Sequence, residues 1–261
     1  MPAAEAITPE LSSAGSLTVC LALVGAPAAS LDKDGQAYGY NPAFANEIAS
    51  RLDLQPVIQQ QNFDELISML QTHACDISVS SQNITSDRSA QVNLVPYTQS
   101  KAGFPVVVAQ GNPKAIASLT DLCAQKVSAA KGTTNVDAVN GVGQYQGDGI
   151  NFSCGQANVP DVQLLTYDTE LDAVQALLDG TVVAYLGNSN YVSQYPDLIQ
   201  ESTATLPASE QGIALALDHA TLTAAVRAAL DAMINDGTYL QILRQYVPAQ
   251  SVDNFSIIET P

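Results

Sequence analysis

Basic residues are scarce in this chain: nine Lys and Arg stand against 26 Asp and Glu over 261 residues, a formal charge of −17. Binding a nucleic-acid backbone takes clustered Lys and Arg, and no such cluster exists here, so nucleic acid is excluded as a partner. An anionic membrane surface is disfavoured on the same ground. Long apolar runs are also missing. A membrane-spanning helix needs ~18–20 uninterrupted apolar residues, and the best candidate, Val19 to Ala29, is short and broken by Gly25 and Pro27. No basic segment with an apolar one behind it follows Met1, so any export signal is expected to have been removed or never present. Pro2 to Ser16, rich in Ala, Ser, Pro and Glu, reads as a loose leader.

Histidine is limited to His73 and His219, and no Cys-x-x-Cys unit occurs, so a zinc site is poorly supported. His73-Ala74-Cys75 offers two ligands, which do not make a site; neither a metal nor a cofactor is expected. Nucleophile-elbow, Walker, zincin and EF-hand patterns are all absent. Gly141-Val-Gly143-Gln-Tyr-Gln-Gly147 has the wrong spacing for a dinucleotide fingerprint and no strand leading into it, so it reads as a loop. The carboxylates are scattered and single out no acid/base pair.

What is present is core material. Hydrophobic residues make up 46% and charged residues 13% of the chain, too apolar for disorder, and the length suits one large domain or two ordinary ones. Leu17 to Val24 suits a strand buried on both faces. Asn41-Pro42 reads as a helix start, with Phe44, Ile48 and Leu52 as its buried stripe. Pro56 to Gln61 is a second strand. Asn62 and Glu65 form a candidate capping box for a helix carrying Leu66, Ile67 and Leu70, and Asp76 to Ser80 is a third strand. A second round follows: strands at 104–109, 126–130, 163–167 and 181–186, a short helix at 134–139, and a helix capped by Asp168 that ends at Gly180. Phe63 to Ser80 and Leu171 to Asn188 share one layout, a weak internal repeat of architecture. Gly212 to Leu217 and two long C-terminal helices close the chain; those helices are expected on the first lobe.

The four cysteines, at 20, 75, 123 and 154, allow three full pairings or four buried thiols. Cys123 and Cys154 each lie in a short polar segment leading into an apolar run. If those runs are neighbouring strands the sulfurs meet, so a 123–154 bridge and an oxidising compartment are expected. A 20–75 bridge stays open.

One segment carries chemistry. Asp76-Ile-Ser-Val-Ser-Ser-Gln-Asn-Ile-Thr-Ser-Asp-Arg88 puts hydroxyl and amide groups at the C-terminal end of a strand, where open α/β sheets bind ligands. Arg88 adds a planar, permanently charged fork suited to a carboxylate, with Ser81 and Asn83 able to add hydrogen bonds. Alone, the segment also reads as an ordinary loop with a surface arginine.

Several segments in order resemble one family, the extracellular solute-binding proteins of family 3, amino-acid-binding partners of ABC importers. They are Gly39-Tyr-Asn-Pro-Ala-Phe-Ala-Asn-Glu-Ile-Ala, Phe63-Asp-Glu-Leu-Ile-Ser-Met-Leu, Asp76 to Arg88, Lys131-Gly-Thr-Thr-Asn135, Leu177-Leu-Asp-Gly180, Gly212-Ile-Ala-Leu and Asn235-Asp-Gly-Thr-Tyr239. The resemblance spans about Leu17 to Val247. It implies an α/β, type II periplasmic-binding-protein fold: two lobes, each a mostly parallel sheet flanked by helices, joined by two hinge strands and closing on a small ligand. Residues 1–98 and 207–261 would form the first lobe and 99–206 the second. By the same resemblance Phe63 stacks on the ligand, Ser80, Ser81 and Asn83 bond its head group, and Arg88 holds its α-carboxylate. Thr133 and Thr134 add hydroxyl and backbone donors from the second lobe. Asn188 stands where the family usually carries an Asp that neutralises the α-ammonium. The resemblance further implies an exported monomer, periplasmic or anchored at the cell surface, that hands an amino acid or related carboxylate to a membrane permease and is no enzyme. Two rivals share the scaffold: a prephenate or arogenate dehydratase, for which the sequence identifies no acid, and a ligand-binding sensor domain.

Overall fold

A computed structural model describes residues 4–258. The chain forms strands β1 (Ser16–Leu21), β2 (Gln55–Gln60), β3 (Ile77–Asn83), β4 (Val92–Ser100), β5 (Phe104–Ala109), β6 (Lys126–Ala130), β7 (Gln163–Tyr167), β8 (Ala184–Leu186), β9 (Ile199–Leu206) and β10 (Ser209–Ala216). The helices that matter for the site are α1 (Tyr40–Arg51), α2 (Leu66–Gln71), α3 (Ser86–Ser89), α4 (Thr134–Asn140), α5 (Ile150–Gln156), α6 (Glu170–Leu178), α7 (Ala220–Asp236) and α8 (Thr238–Tyr246). The chain divides into two compact units. One runs through Lys101 and resumes at Ser209; the other is Ala102–Ala208.

The first unit holds a five-stranded sheet in the order β2-β1-β3-β10-β4. β2 and β3 run parallel to β1, whereas β10 is antiparallel to both β3 and β4. Four strands therefore point one way and β10 runs against them. Leu17, Val19 and Leu21 of β1 are fully buried and share one core with Phe44 and Ile48 of α1 and with Leu222, Val226, Leu230 and Met233 of α7. The 3.6-residue apolar spacing of α7 is what brings a C-terminal helix back onto the first sheet.

The second unit repeats the plan in the order β9-β5-β8-β6-β7. β6, β7 and β8 are mutually parallel, and β5 is antiparallel to β8 and β9. Each sheet is thus mixed rather than all parallel, with one reversed strand apiece. The two halves of the sequence repeat become α2–β3 and α6–β8, and each strand is the middle one of its sheet.

Both cysteine pairs are bridged. Cys20 of β1 joins Cys75, just before β3, at a Cα separation of 5.8 Å. Cys123, in the turn before β6, joins Cys154 of α5 at 5.6 Å. β6 and β7, the runs that those polar segments lead into, are neighbouring strands.

Three helix starts differ from the sequence reading. Asn41 lies inside the first turn of α1, and Gly39 precedes the helix at φ 134°. A Cβ at Gly39 would sit 2.3 Å from the Ala28 carbonyl oxygen, so glycine is required there. Asn62 makes no side-chain cap and opens a 3-10 turn over Phe63–Glu65 instead. Thr169 rather than Asp168 caps α6, its hydroxyl accepting the Asp172 N–H, while Asp168 pairs with Lys131 at 2.5 Å.

Candidate ligand-binding site

In the first unit the site grows from an irregularity in β3, whose pairing with β10 shifts register between Gly212 and Ala214. Ser81 there adopts φ +51°, a left-handed conformation uncommon outside glycine. A buried network holds it. The Ser81 N–H donates to the Tyr97 hydroxyl at 2.9 Å, that hydroxyl donates to Asn41 Oδ1 at 2.6 Å, and Asn41 Nδ2 donates to Ser81 Oγ at 3.2 Å. Tyr97 is clamped edge-on by Phe44, and burial pushes its hydroxyl up to about 12. It therefore stays a neutral donor.

Past this turn β3 ends at Asn83, whose carbonyl accepts from Arg88 Nη1 at 2.9 Å. Arg88 lies on the one-turn helix α3, fixed by Thr85, whose hydroxyl accepts the Arg88 N–H at 3.1 Å. The side chain is buried, and its guanidinium carbon lies 5.5 Å from the centre of the Phe63 ring. Phe63, Asn83 and Arg88 thus converge, with Ser81 two residues back along the strand. Ser80 does not join them. Strand alternation turns it inward, where its fully buried Oγ accepts the Ala22 N–H at 2.9 Å and ties β3 to the end of β1.

In the second unit β6 and β8 are adjacent and parallel, with Ala129 opposite Leu186, so their C-terminal ends emerge side by side. After β6, the Thr133 hydroxyl donates to the Ala130 carbonyl at 2.8 Å, closing the turn that starts α4, and Thr134 follows as the first, buried residue of that helix. After β8 come Gly187 and Asn188. The Asn188 N–H donates to the Tyr185 hydroxyl at 3.0 Å, and its Oδ1 accepts the Asn190 N–H at 3.0 Å, capping the turn over Ser189–Ser193.

Beneath this turn lies a residue the sequence reading did not single out. Glu170, first in α6, is buried, and its carboxyl accepts from the Asn188 backbone, while Oε2 has no hydrogen-bond partner. Burial pushes the group up to about 8, against the lowering effect of the Asn188 N–H. It is held as the neutral acid at pH 7. A Cβ at Gly187 would come within 2.0 Å of the Tyr185 hydroxyl and 2.4 Å of Glu170 Oε2, so glycine is what makes room for both. In sequence, an acidic residue in a first helical turn reads only as a complement to the helix dipole. The approach of α6 to the end of β8 is what reveals it.

A polar cluster at the C-terminal strand ends of each of two α/β lobes, one containing a buried arginine on an aromatic face, defines a ligand-binding protein with a type II periplasmic-binding-protein fold. Residues 17–249 match the family described as bacterial extracellular solute-binding proteins, family 3. The chain belongs to that family. It is 25% identical over 246 residues to the L-cystine-binding protein TcyJ of Escherichia coli K12, a match covering 92% of this chain and 85% of that protein. It is 25% identical over 231 residues to ABC transporter arginine-binding protein 1 of the same organism, covering 85% and 86%. Among solved structures, an ancestral arginine-binding protein bound to arginine superposes with TM-score 0.78 at 27% identity, covering 89% of this chain and 98% of that one.

Proposed function

We propose that this protein is the extracytoplasmic binding subunit of an ABC importer and that it captures an α-amino acid. The observation that carries the reading is Arg88: a buried guanidinium, braced by the Asn83 carbonyl and lying on the Phe63 ring. A guanidinium has five N–H donors in a planar fork that matches a carboxylate, and desolvation strengthens that charge-assisted contact. Asn83, Ser81 and Thr134 add polar contacts to the ligand head group. Asn188 accepts from its ammonium in place of a charged carboxylate. The relatives' binding of cystine and arginine supports the amino-acid class, and the two disulfides suit an oxidising compartment. The protein acts as a monomer, periplasmic or anchored at the cell surface, and delivers its ligand to a membrane permease.

The dehydratase rival needs a carboxylic acid that touches the leaving hydroxyl. Glu170 is such an acid at pH 7, but its Oε2 is sealed beneath Gly187 and its carboxyl is engaged by the Asn188 backbone. Binding without turnover is the expected outcome. A thermal-shift panel of amino acids, amines and small carboxylates tests the reading, because a ligand at ~100-fold its Kd adds ~2.7 kcal/mol of stability. A shift with one or a few amino acids supports it. Conversion of prephenate to phenylpyruvate, or a response to amine-free carboxylates alone, contradicts it.

A further inference from the structure

The two histidines lie 146 residues apart in sequence, yet the fold brings them together. His73 sits in the turn between α2 and β3, and His219 sits between β10 and α7. Because β10 is antiparallel to β3, with Leu215 opposite Ile77, both turns fall at one end of the first sheet. That end is opposite to the one bearing Ser81, Asn83 and Arg88. The imidazole rings lie 4.6 Å apart, His73 Nε2 is 3.3 Å from Asp218 Oδ1, and one potential ligand atom from each of the three residues lies within 4.8 Å of the others. His219 is 5% exposed and its Nδ1 has no hydrogen-bond partner. An unpaired ring nitrogen in a dry setting is costly unless something occupies it.

We propose that His73, Asp218 and His219 form a binding site for a borderline divalent metal ion of the zinc type. Two imidazoles and a carboxylate are a donor set for such ions, leaving a fourth position to water. Ligands of a tetrahedral ion bound at ~2.0–2.1 Å stand about 3.4 Å apart, close to the His73–Asp218 spacing already present. The His73 and Asp218 side chains are 47% and 68% exposed, so rotamer changes bring them to the ion while His219 stays fixed. The N-terminus of α7 would repel a cation. Glu10 offsets it: its two carboxylate oxygens accept the Thr221 and Leu222 N–H groups at 3.1 and 2.6 Å. All four cysteines are bridged and do not compete for the ion. An ion here would tie the turn before β3 to the turn before α7, stiffening the first sheet away from the amino-acid cluster.

The test is calorimetric titration of Zn²⁺ into protein without a polyhistidine tag, stripped with EDTA and studied without reductant. One saturable site is expected. The exposed-residue variants His73→Ala and Asp218→Asn keep the fold and are each expected to weaken zinc by more than the ~10–100-fold that loss of an outer-shell partner costs. Co²⁺ in place of Zn²⁺ is expected to give visible bands in wild type that His73→Ala abolishes. Absence of saturable zinc binding overturns the proposal. So does zinc binding that survives His73→Ala unchanged, since the acidic surface would then be its source.

Discussion

Glu170 is the residue whose environment has the clearest thermodynamic consequence. Its carboxyl, ordinarily near 4.5, is pushed up to about 8 by burial. Between those values the unfolded chain releases a proton that the folded chain retains, so fewer protons are bound unfolded than folded and stability falls as pH rises. This contribution is complete below about 4.5 and is lost as pH climbs through about 8. Glu170→Gln keeps the shape and removes the titration. The variant's stability should decline less between pH 5 and 8.5, leaving it more stable than wild type at the upper end by an amount on the order of a few kcal/mol. Parallel urea denaturation curves for the two proteins across that range would argue against a buried acid. Asn188 is the second informative position. Asn188→Asp preserves an acceptor for the Asn190 N–H and places a full charge where the ligand ammonium is proposed. Affinity for an α-amino acid should tighten by ~1–2 kcal/mol. A ligand without an amine that binds wild type well and the Asp variant poorly would remove the ammonium from the account.

At the scale of elements, legibility followed local pattern. Val106-Val107-Val108 is a buried apolar run and reads directly as the strand it is, β5. β9 did not read as a strand, because Ile199-Gln-Glu-Ser-Thr-Ala-Thr-Leu206 is mostly polar and lies at a sheet edge where one flank is unpaired. β4 was hidden by Pro96, which is accommodated at the register shift opposite Gly212. The same contrast runs through the site. Asn83 and Arg88 were legible because a strand end and the turn after it are consecutive in sequence. The Asn41–Tyr97–Ser81 network and the Glu170–Gly187 contact were not, since each joins segments that only the topology brings together. The disulfides also act at this scale. The Cys123–Cys154 bridge closes a separation of 31 residues, for which chain entropy assigns a loss of between ~3 and ~4.7 kcal/mol on removal. The double variant Cys123→Ser/Cys154→Ser should lose about that much in guanidinium unfolding. Intact mass after alkylation of unreduced, unfolded wild type should show no thiol modified, and four modified thiols would remove the oxidising compartment.

Taken whole, the molecule carries −17 charges, yet it is proposed to hold a ligand carboxylate. The two facts are compatible because the surface field is screened within ~8 Å at physiological salt, whereas a buried guanidinium acts at contact distance. Binding energy is expected to be concentrated in Arg88 rather than spread over the surface, so affinity for a zwitterion should change little as salt is raised. The most direct measurement is calorimetric titration of wild type and Arg88→Ala with the amino acid that most raises the melting temperature, alongside the same compound lacking its α-carboxylate. Arg88→Ala is expected to fold and to lose ~2–5 kcal/mol of affinity for the amino acid, and the decarboxylated compound is expected to bind wild type and variant equally weakly. Unchanged affinity for the amino acid in Arg88→Ala would contradict it.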